Sequence, residues 1–391
     1  MKKEETSMKK IATLNKISPK GLNLLTDDFE LTDDVETANG IIVRSHDMHE
    51  MELSADLIAI ARAGAGVNNI PVDKCSEEGI VVFNAPGANA NAVKELVLAG
   101  LFMAARNIPD ALVWVYNEKE NVANSVEKNK SKFAGEELKG RTLGVIGLGF
   151  IGVLVANAAE SLGMKVIGYD PFISVQSAHY LSPSVKIYDE LDAMLPHCDY
   201  MTIHVPAMKD TENMIDEKSF ALMKNRAVLL NFSRDKIVKE DALIEALEDK
   251  KLKRYVTDFP TDSLVGIRNV IRIPHLGAST KESEENCAIM AVNQIMDYIE
   301  NGNIKNSVNF PNCSIGPLKS KTRICILNKN IPTMLGKITN AVADMNTNIS
   351  DLTNKSKGNY AYTLIDIDDE ISEDKIKDAL SFEGIISVRA L

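Results

Sequence analysis

The feature that most constrains this sequence is a glycine-rich stretch at Thr142–Gly152, in which three glycines have the spacing Gly147-x-Gly149-x-x-Gly152. A short β-branched strand precedes the glycines and an alanine-rich helix follows them. A second apolar run ends in Asp170, 18 residues beyond the last glycine, close to the ~20-residue interval of a dinucleotide-binding fingerprint. The three glycines allow a tight turn, approach of the backbone to a pyrophosphate, and close helix–strand packing. The pattern predicts a βαβ unit that binds the pyrophosphate at a helix N-terminus.

The acid that ends this unit indicates which dinucleotide is bound. Asp170 can accept hydrogen bonds from a ribose 2′-hydroxyl and would repel a 2′-phosphate, and no Arg or Lys follows it within several residues. The sequence therefore favours NAD over NADP. The alternative for the stretch is a glycine-rich packing loop.

The uncharged run from Thr142 to Ala159 is 18 residues long, the nominal length of a membrane-spanning helix. Because it contains four glycines, three of them in fingerprint register, we interpret it as a buried strand and helix and expect no membrane association.

Composition narrows the class of protein. The chain has 391 residues, of which 45% are hydrophobic and 25% charged, and a net charge of −11. Such a balance is typical of a globular protein of two or three domains and argues against a nucleic-acid partner. The five cysteines are scattered without a C-x-x-C pair, which favours reduced thiols in a cytoplasm and no metal site. No signal peptide is visible.

The order of predicted elements gives an α/β fold. Strands and helices alternate over residues 9–90 and again over 142–273, which predicts two doubly wound parallel sheets. A helix after Ser279 carries apolar residues at helical spacing, and Ser279-Thr-Lys-Glu282 is a plausible capping box. The last ~70 residues have the order βαββαβ of a ferredoxin-like domain.

Several motifs in this order resemble those of the NAD-dependent D-2-hydroxyacid dehydrogenase family, within it the branch that carries a C-terminal ACT regulatory domain. The matching motifs, besides the fingerprint, are Val43-Arg-Ser45, Arg62-Ala-Gly-Ala-Gly66, Asn84-Ala-Pro86, His204-Val-Pro206, Asn231-Phe-Ser-Arg234 and Pro274-His-Leu-Gly-Ala-Ser279. The resemblance implies a substrate-binding (lid) domain at 1–90 and 283–305, an NAD-binding Rossmann domain at 91–282, a linker at 306–320 and an ACT domain at 321–391. It also implies an active site between the first two domains.

The resemblance further implies roles for individual residues. His275 is expected to be the general acid/base and Arg234 the carboxylate-binding cation, whereas the ordinary alternative for Arg234 is a surface salt bridge. Substrate contacts are expected at Arg44, Ser45, Gly64, Ala65, Gly66 and Asn89. Contacts to NAD are expected at Gly147, Gly149, Phe150, Ile151, Gly152, Asp170, His204, Val205, Pro206, Thr211, Phe232, Asp258, Gly277 and Ala278.

The third catalytic residue of the family is a glutamate paired with the histidine, and here the sequence departs from the pattern. The region reads Thr257-Asp-Phe-Pro-Thr-Asp262, and alignment on Phe259 puts Asp262 in the position of the glutamate. We prefer Asp262 for the acid, with Asp258 as the competing assignment, either for that role or for holding the nicotinamide amide.

The family implies oxidation of 3-phospho-D-glycerate with NAD as the first step of serine synthesis, in a homodimer or homotetramer. The alternatives are another D-2-hydroxyacid, such as glycerate or 2-hydroxyglutarate, and a non-catalytic NAD-sensing regulator. The ACT domain implies a serine site near Asn330 and Asn348. Thr333 stands where the serine-inhibited relatives have glycine, so serine inhibition is left open.

Overall fold

A computed structural model describes residues 8–391, which form two compact units. One unit contains the chain up to Asn89 together with Glu284–Leu391, and the other contains Ala90–Ser283. The chain therefore leaves the first unit once and returns to it through a long helix.

The first unit contains a five-stranded parallel sheet with the strand order β2-β1-β3-β4-β5. Its strands are β1 (Lys9–Leu14), β2 (Phe29–Thr32), β3 (Gly40–Val43), β4 (Ala59–Arg62) and β5 (Val81–Phe83), with the short helices α1 (Pro19–Leu22) and α2 (Val72–Glu77). β3, β4 and β5 are buried along nearly their whole length, as expected for a sheet covered on both faces.

The second unit contains a seven-stranded parallel sheet with the strand order β12-β11-β10-β9-β6-β7-β8. Its helices are α3 (Ala90–Arg106), α4 (Ile108–Asn117), α5 (Val122–Asn129), α6 (Phe150–Ser161), α7 (Val175–Tyr180), α8 (Leu191–Met194), α9 (Glu217–Leu222) and α10 (Glu240–Glu248). Its strands are β6 (Thr142–Ile146), β7 (Lys165–Tyr169), β8 (Lys186–Tyr188), β9 (Tyr200–Ile203), β10 (Ala227–Asn231), β11 (Leu252–Thr257) and β12 (Val270–Arg272). The order reverses beside β6, where ligands bind in such sheets.

The helix α11 (Lys281–Asn301) returns to the first unit. The hydroxyl of Thr280, rather than that of Ser279, accepts a hydrogen bond from the backbone N–H of Ser283 at 3.1 Å, so the cap lies one residue later than the capping box predicts. The predicted apolar face is buried, since Ala288, Ala291, Val292, Ile295 and Ile299 are at most 3% exposed.

The C-terminal segment forms an antiparallel sheet with the order β14-β15-β13-β16, covered on one face by two helices. Its elements are β13 (Thr322–Lys329), α12 (Met334–Asp344), β14 (Ile349–Lys357), β15 (Tyr360–Ile367), α13 (Glu373–Ala379) and β16 (Ile385–Ala390). The predicted βαββαβ order is confirmed, and so is the α/β class with two parallel sheets.

The C-terminal sheet packs against the end of α11 inside the first unit. The Tyr362 hydroxyl donates to the carbonyl of Gly302 at 2.7 Å, and the Arg389 guanidinium stacks on the ring of Tyr298 at 4.3 Å. Buried Arg323 joins Asp366 to the carbonyl of Asn301. This segment therefore shares a core with the first sheet, although the sequence suggests a separate unit.

The run from Thr142 to Ala159 forms β6, the glycine loop and most of α6. Among the described residues, no single helix has the length and apolar character needed to span a bilayer. Two helices, α3 and α4, pass that test only as a pair bent by 69°.

Candidate active site

The glycine loop follows β6, and each glycine has a distinct surrounding. Gly147 has φ +91°, and a Cβ there would lie 2.7 Å from the carbonyl oxygen of His204. A Cβ on Gly152 would overlap the carbonyl oxygen of Gly147. A Cβ on Gly149 would meet no atom of the described chain within 4 Å, so the backbone is open to solvent there. Two glycines therefore close the turn, and the third leaves the space that a pyrophosphate needs.

Asp170 follows β7 and fixes this loop from the neighbouring strand. One carboxylate oxygen accepts from the backbone N–H of Leu148 at 2.8 Å, and the other accepts from the N–H of Phe172 at 2.8 Å. Each oxygen keeps a lone pair for a ribose hydroxyl. Asp170 thus both fixes the glycine loop and offers acceptors to a ribose, in keeping with the predicted preference for NAD. The residues present fit this cofactor.

His204 follows β9 and contacts the loop through its backbone. Its Nε2 lies 2.9 Å from the hydroxyl of Thr202, and its buried Nδ1 has no partner in the described chain. Burial lowers the pKa of His204 to about 3, so the imidazole is neutral at physiological pH. This histidine therefore packs beside the cofactor loop as a neutral side chain.

The other residues predicted to surround NAD differ in exposure. Thr211 is 8% exposed, and its hydroxyl accepts from the N–H of Met208 and donates to the carbonyl of Pro206, so it shapes the loop after β9. Phe232 is buried against Gly100. Phe150 is 52% exposed at the start of α6. The remaining predicted residues at the same edge are Ile151, Val205, Gly277 and Ala278.

Side chains that follow β10, β11 and β12 meet around one aromatic ring. The ring of Phe259 lies 4.4 Å from that of His275 between centroids, and the Arg234 guanidinium lies 5.2 Å from its centroid. Asn231 holds the loop before Arg234, because its amide donates to the carbonyl of Arg234 at 2.8 Å. Phe259 thus lies close to both the predicted base and the predicted carboxylate-binding cation, a role that the sequence alone did not reveal.

The two competing acids have different environments. Asp258 is 1% exposed, and its Oδ2 accepts from the backbone N–H of Gly277 at 3.2 Å, whereas its Oδ1 has no partner in the described chain. Burial raises the pKa of Asp258, and the nearby charge of His275 opposes that rise. Asp262 is exposed at the start of a 3₁₀ turn. Of the two acids, Asp258 is thus the buried one, and the charge of His275 acts on it.

A comparison with known proteins agrees with a cofactor-binding role for this edge of the sheet. The profile of the "D-isomer specific 2-hydroxyacid dehydrogenase, NAD binding domain" matches residues 98–277. The D-3-phosphoglycerate dehydrogenase of Escherichia coli (strain K12) is 32% identical over 381 residues, which cover 93% of this chain and 90% of the relative.

The chain belongs to the D-isomer-specific 2-hydroxyacid dehydrogenase family. A D-3-phosphoglycerate dehydrogenase of Methanocaldococcus jannaschii is 35% identical over 331 residues, and the chain spans 60% of the length of that relative. The NAD⁺-bound 3-phosphoglycerate dehydrogenase structure of Entamoeba histolytica has a TM-score of 0.60 at 26% identity, covering 77% of this chain and 99% of that one. The family match and this NAD-bound neighbour support NAD as the cofactor of this dehydrogenase.

The predicted substrate residues of this dehydrogenase lie in the first unit. Arg44 follows β3 and pairs with Glu284 of α11 at 2.7 Å, a partner 240 residues away that the sequence did not indicate. The side chain of Arg62 donates to the carbonyls of Arg44 and Gly66, which connects the loops after β3 and β4. The N–H of Ser45 donates to Asn15 at 2.9 Å, and the Asn84 amide donates to the carbonyl of Ala65 at 2.6 Å. Asn89 ends this part of the unit.

The predicted effector residues lie at two turns of the C-terminal sheet. The Asn330 amide donates to the carbonyl of Gly358 at 3.0 Å, and the Asn348 amide donates to Asp368 at 2.6 Å. Thr333 has φ +68°, a left-handed conformation that favours glycine and is costly for a β-branched residue. The backbone thus keeps the glycine-type turn although the residue is threonine.

Proposed function

We propose that this dehydrogenase oxidises 3-phospho-D-glycerate to 3-phosphooxypyruvate with NAD, the first step of L-serine biosynthesis. The observation that carries the proposal is the cluster in which Arg234 and His275 both lie against the ring of Phe259, near buried Asp258. The names of the relatives from Escherichia coli and Methanocaldococcus jannaschii support the substrate.

In this proposal each residue has one task. His275 takes the proton of the substrate hydroxyl, and an imidazole suits this task because its usual pKa is near neutral pH. Arg234 binds the substrate carboxylate through its planar guanidinium. A carboxylate, Asp262 by sequence alignment or Asp258 by position, stabilises the imidazolium that forms. The loop Gly147–Gly152 and Asp170 would hold NAD, which would supply the hydride acceptor.

The test is NADH formation with 3-phosphoglycerate, glycerate and 2-hydroxyglutarate, in wild type and in the variant His275→Ala. We expect the highest kcat/KM with 3-phosphoglycerate and a loss of roughly 10²–10⁴-fold in kcat for the variant, the usual contribution of a general acid–base. Equal rates with the unphosphorylated acids would instead support the second candidate, a different hydroxyacid dehydrogenase. Absence of turnover with every acid would support an NAD-sensing regulator.

A serine effector site at the C-terminal sheet is part of the proposal, at the turns that carry Asn330 and Asn348. Because Thr333 places a Cβ at the turn where glycine is favoured, the variant Thr333→Gly should relieve the backbone strain, by about 1 kcal/mol, and open the turn. We expect serine to inhibit the variant at lower concentration than the wild type. Unchanged rates at millimolar serine in both proteins would remove serine from the proposal.

The assembly state and location complete the proposal. We expect a homodimer or homotetramer, because α4 exposes apolar side chains for a second copy to cover: Leu112, Val113 and Tyr116 are 56%, 66% and 83% exposed. Sedimentation of the purified chain measures this state directly. The five free, buried cysteines support a cytoplasmic location.

A further inference from the structure

The edge of the seven-stranded sheet opposite the glycine loop carries a cavity of about 220 Å³ among charged side chains. Four cations line it, at the beginnings of neighbouring strands or just before them: Arg141, Lys224, Arg226 and Lys253. Two carboxylates, Glu136 and Asp199, lie among them. The site therefore has a formal charge of +2, in a chain whose total charge is −11.

Three of the four cations are engaged by these carboxylates. Glu136 binds Lys253 at 2.5 Å and Arg141 at 3.1 Å, and Asp199 binds Lys224 at 2.9 Å. Arg226 is exposed, and its charge contributes to the lowered pKa of Glu136, but its guanidinium has no hydrogen bond or ion pair in residues 8–391. Arg226 is thus the cation whose hydrogen-bond donors are left for a ligand.

Tyr200 provides a second and independent indication of a ligand. Tyr200 lines the same cavity and is 2% exposed, and its buried hydroxyl has no hydrogen-bond partner within the described residues. Burial, together with the charge of Glu136, raises the pKa of Tyr200 to about 12, so the hydroxyl is protonated and able to donate. A buried donor without a partner costs free energy unless a bound group satisfies it.

We propose that this cavity binds a phosphate dianion, either free phosphate or the phosphate group of a small metabolite, with Arg226 and Tyr200 as the donors that no protein group satisfies. A tetrahedral oxyanion suits the residual positive charge and the guanidinium donors. β6 has five residues, so at ~3.3 Å per residue the cavity lies roughly 16 Å from the glycine loop. The site is therefore separate from the cofactor and from the catalytic cluster.

The test is calorimetric titration of the full chain with inorganic phosphate and with glycerol phosphate, at constant ionic strength and saturating NAD. We expect saturable binding in wild type, about tenfold weaker binding in Arg226→Gln, and about fivefold weaker binding in Tyr200→Phe. The control Arg268→Gln removes an exposed cation of the same unit that does not line the cavity, and it should bind as wild type does. Activity should not change in any variant.

The two ligands distinguish the source of the phosphate. Binding of both ligands indicates that phosphorylated metabolites enter the site, and binding of inorganic phosphate alone indicates a site for the free ion. No saturable binding of either ligand, or equal affinity in wild type, Arg226→Gln and Tyr200→Phe, would overturn the proposal and leave an ion-pair network with a purely structural role.

Discussion

The loop after β6 and the turn after β11 lie at the same edge of the same sheet, but they are built from different parts of the chain. The loop acts through its backbone, since Gly147 and Gly152 have no room for a Cβ and Gly149 borders open space. The turn acts through side chains, with Asp258 buried and Phe259 close to both His275 and Arg234. The loop thus depends on residues without a Cβ atom, and the turn depends on the charge and burial of its side chains.

This difference determines how each region should respond to substitution. A methyl group added to the loop changes the stability or the cofactor affinity and leaves the charge of the site unaltered. An isosteric change of a carboxylate in the turn preserves the packing and alters the pH dependence. The predictions below separate these two responses.

The largest effect is expected for Gly152→Ala, because the new Cβ would overlap the carbonyl oxygen of Gly147. We expect the free energy of unfolding to fall by about 3 kcal/mol, the upper range for overpacking, and NAD binding to weaken with it. Denaturant unfolding and fluorescence titration with NADH measure the two quantities.

Gly149→Ala is the matched control within the same loop. Its Cβ meets no described atom within 4 Å and its φ is −75°, so the unfolding free energy should change by no more than about 0.5 kcal/mol. NADH affinity should nevertheless fall at least tenfold if the backbone approaches the pyrophosphate here. Equal stability losses in the two variants would contradict the different roles of these glycines.

The next effect concerns Asp258→Asn and Asp262→Asn, which remove the two competing charges. We expect Asp258→Asn to shift the pH profile of kcat and Asp262→Asn to leave it nearly unchanged, because Asp258 is buried where the charge of His275 acts on it, whereas Asp262 is exposed. A shifted profile only in Asp262→Asn would restore the assignment from sequence alignment.

Stability measurements give an independent check on Asp258. Burial raises its pKa above that of the unfolded chain, so the folded state binds more protons between the two pKa values and stability falls as pH rises through that window. Asp258→Asn should therefore be more stable than wild type at neutral pH. The difference should vanish below the ordinary aspartate pKa of about 3.9. A variant that is less stable at neutral pH would show that the ionised carboxylate is stabilised instead.

The two regions also show what the sequence can predict. The glycine spacing, the strand before it and Asp170 are local in the chain, and they identified the cofactor fold without any knowledge of packing. Asp258 and Asp262 are four residues apart and chemically identical, and only folding makes one of them 1% exposed and leaves the other in solvent. The pairing of Arg44 with Glu284 depends equally on packing, because 240 residues separate them.

The strands, too, are predictable only where the local sequence carries a clear signal. The alternating pattern over residues 9–90 and 142–273 indicates buried strands such as β9 and β10, but it does not indicate β2 and β8. Both missed strands are at the edge of their sheets and are short, with three or four residues. A short edge strand buries few side chains, so its apolar pattern is weak.

The smallest effect at neutral pH is expected at His204, where the loop and its neighbouring strand meet. The pKa of about 3 means that the folded protein keeps this imidazole neutral, whereas the unfolded chain takes up a proton below about pH 6.5. Stability should therefore decline as pH falls from about 6.5, with His204 contributing up to about 1.4 kcal/mol per pH unit. His204→Asn should reduce that slope while matching wild type most closely near pH 8. In nitrogen-15 spectra, the imidazole signal that this substitution removes should not shift between pH 8 and pH 5. A signal that titrates in this range would show that water reaches the ring, and that the loop is less tightly packed against β9 than its glycines indicate.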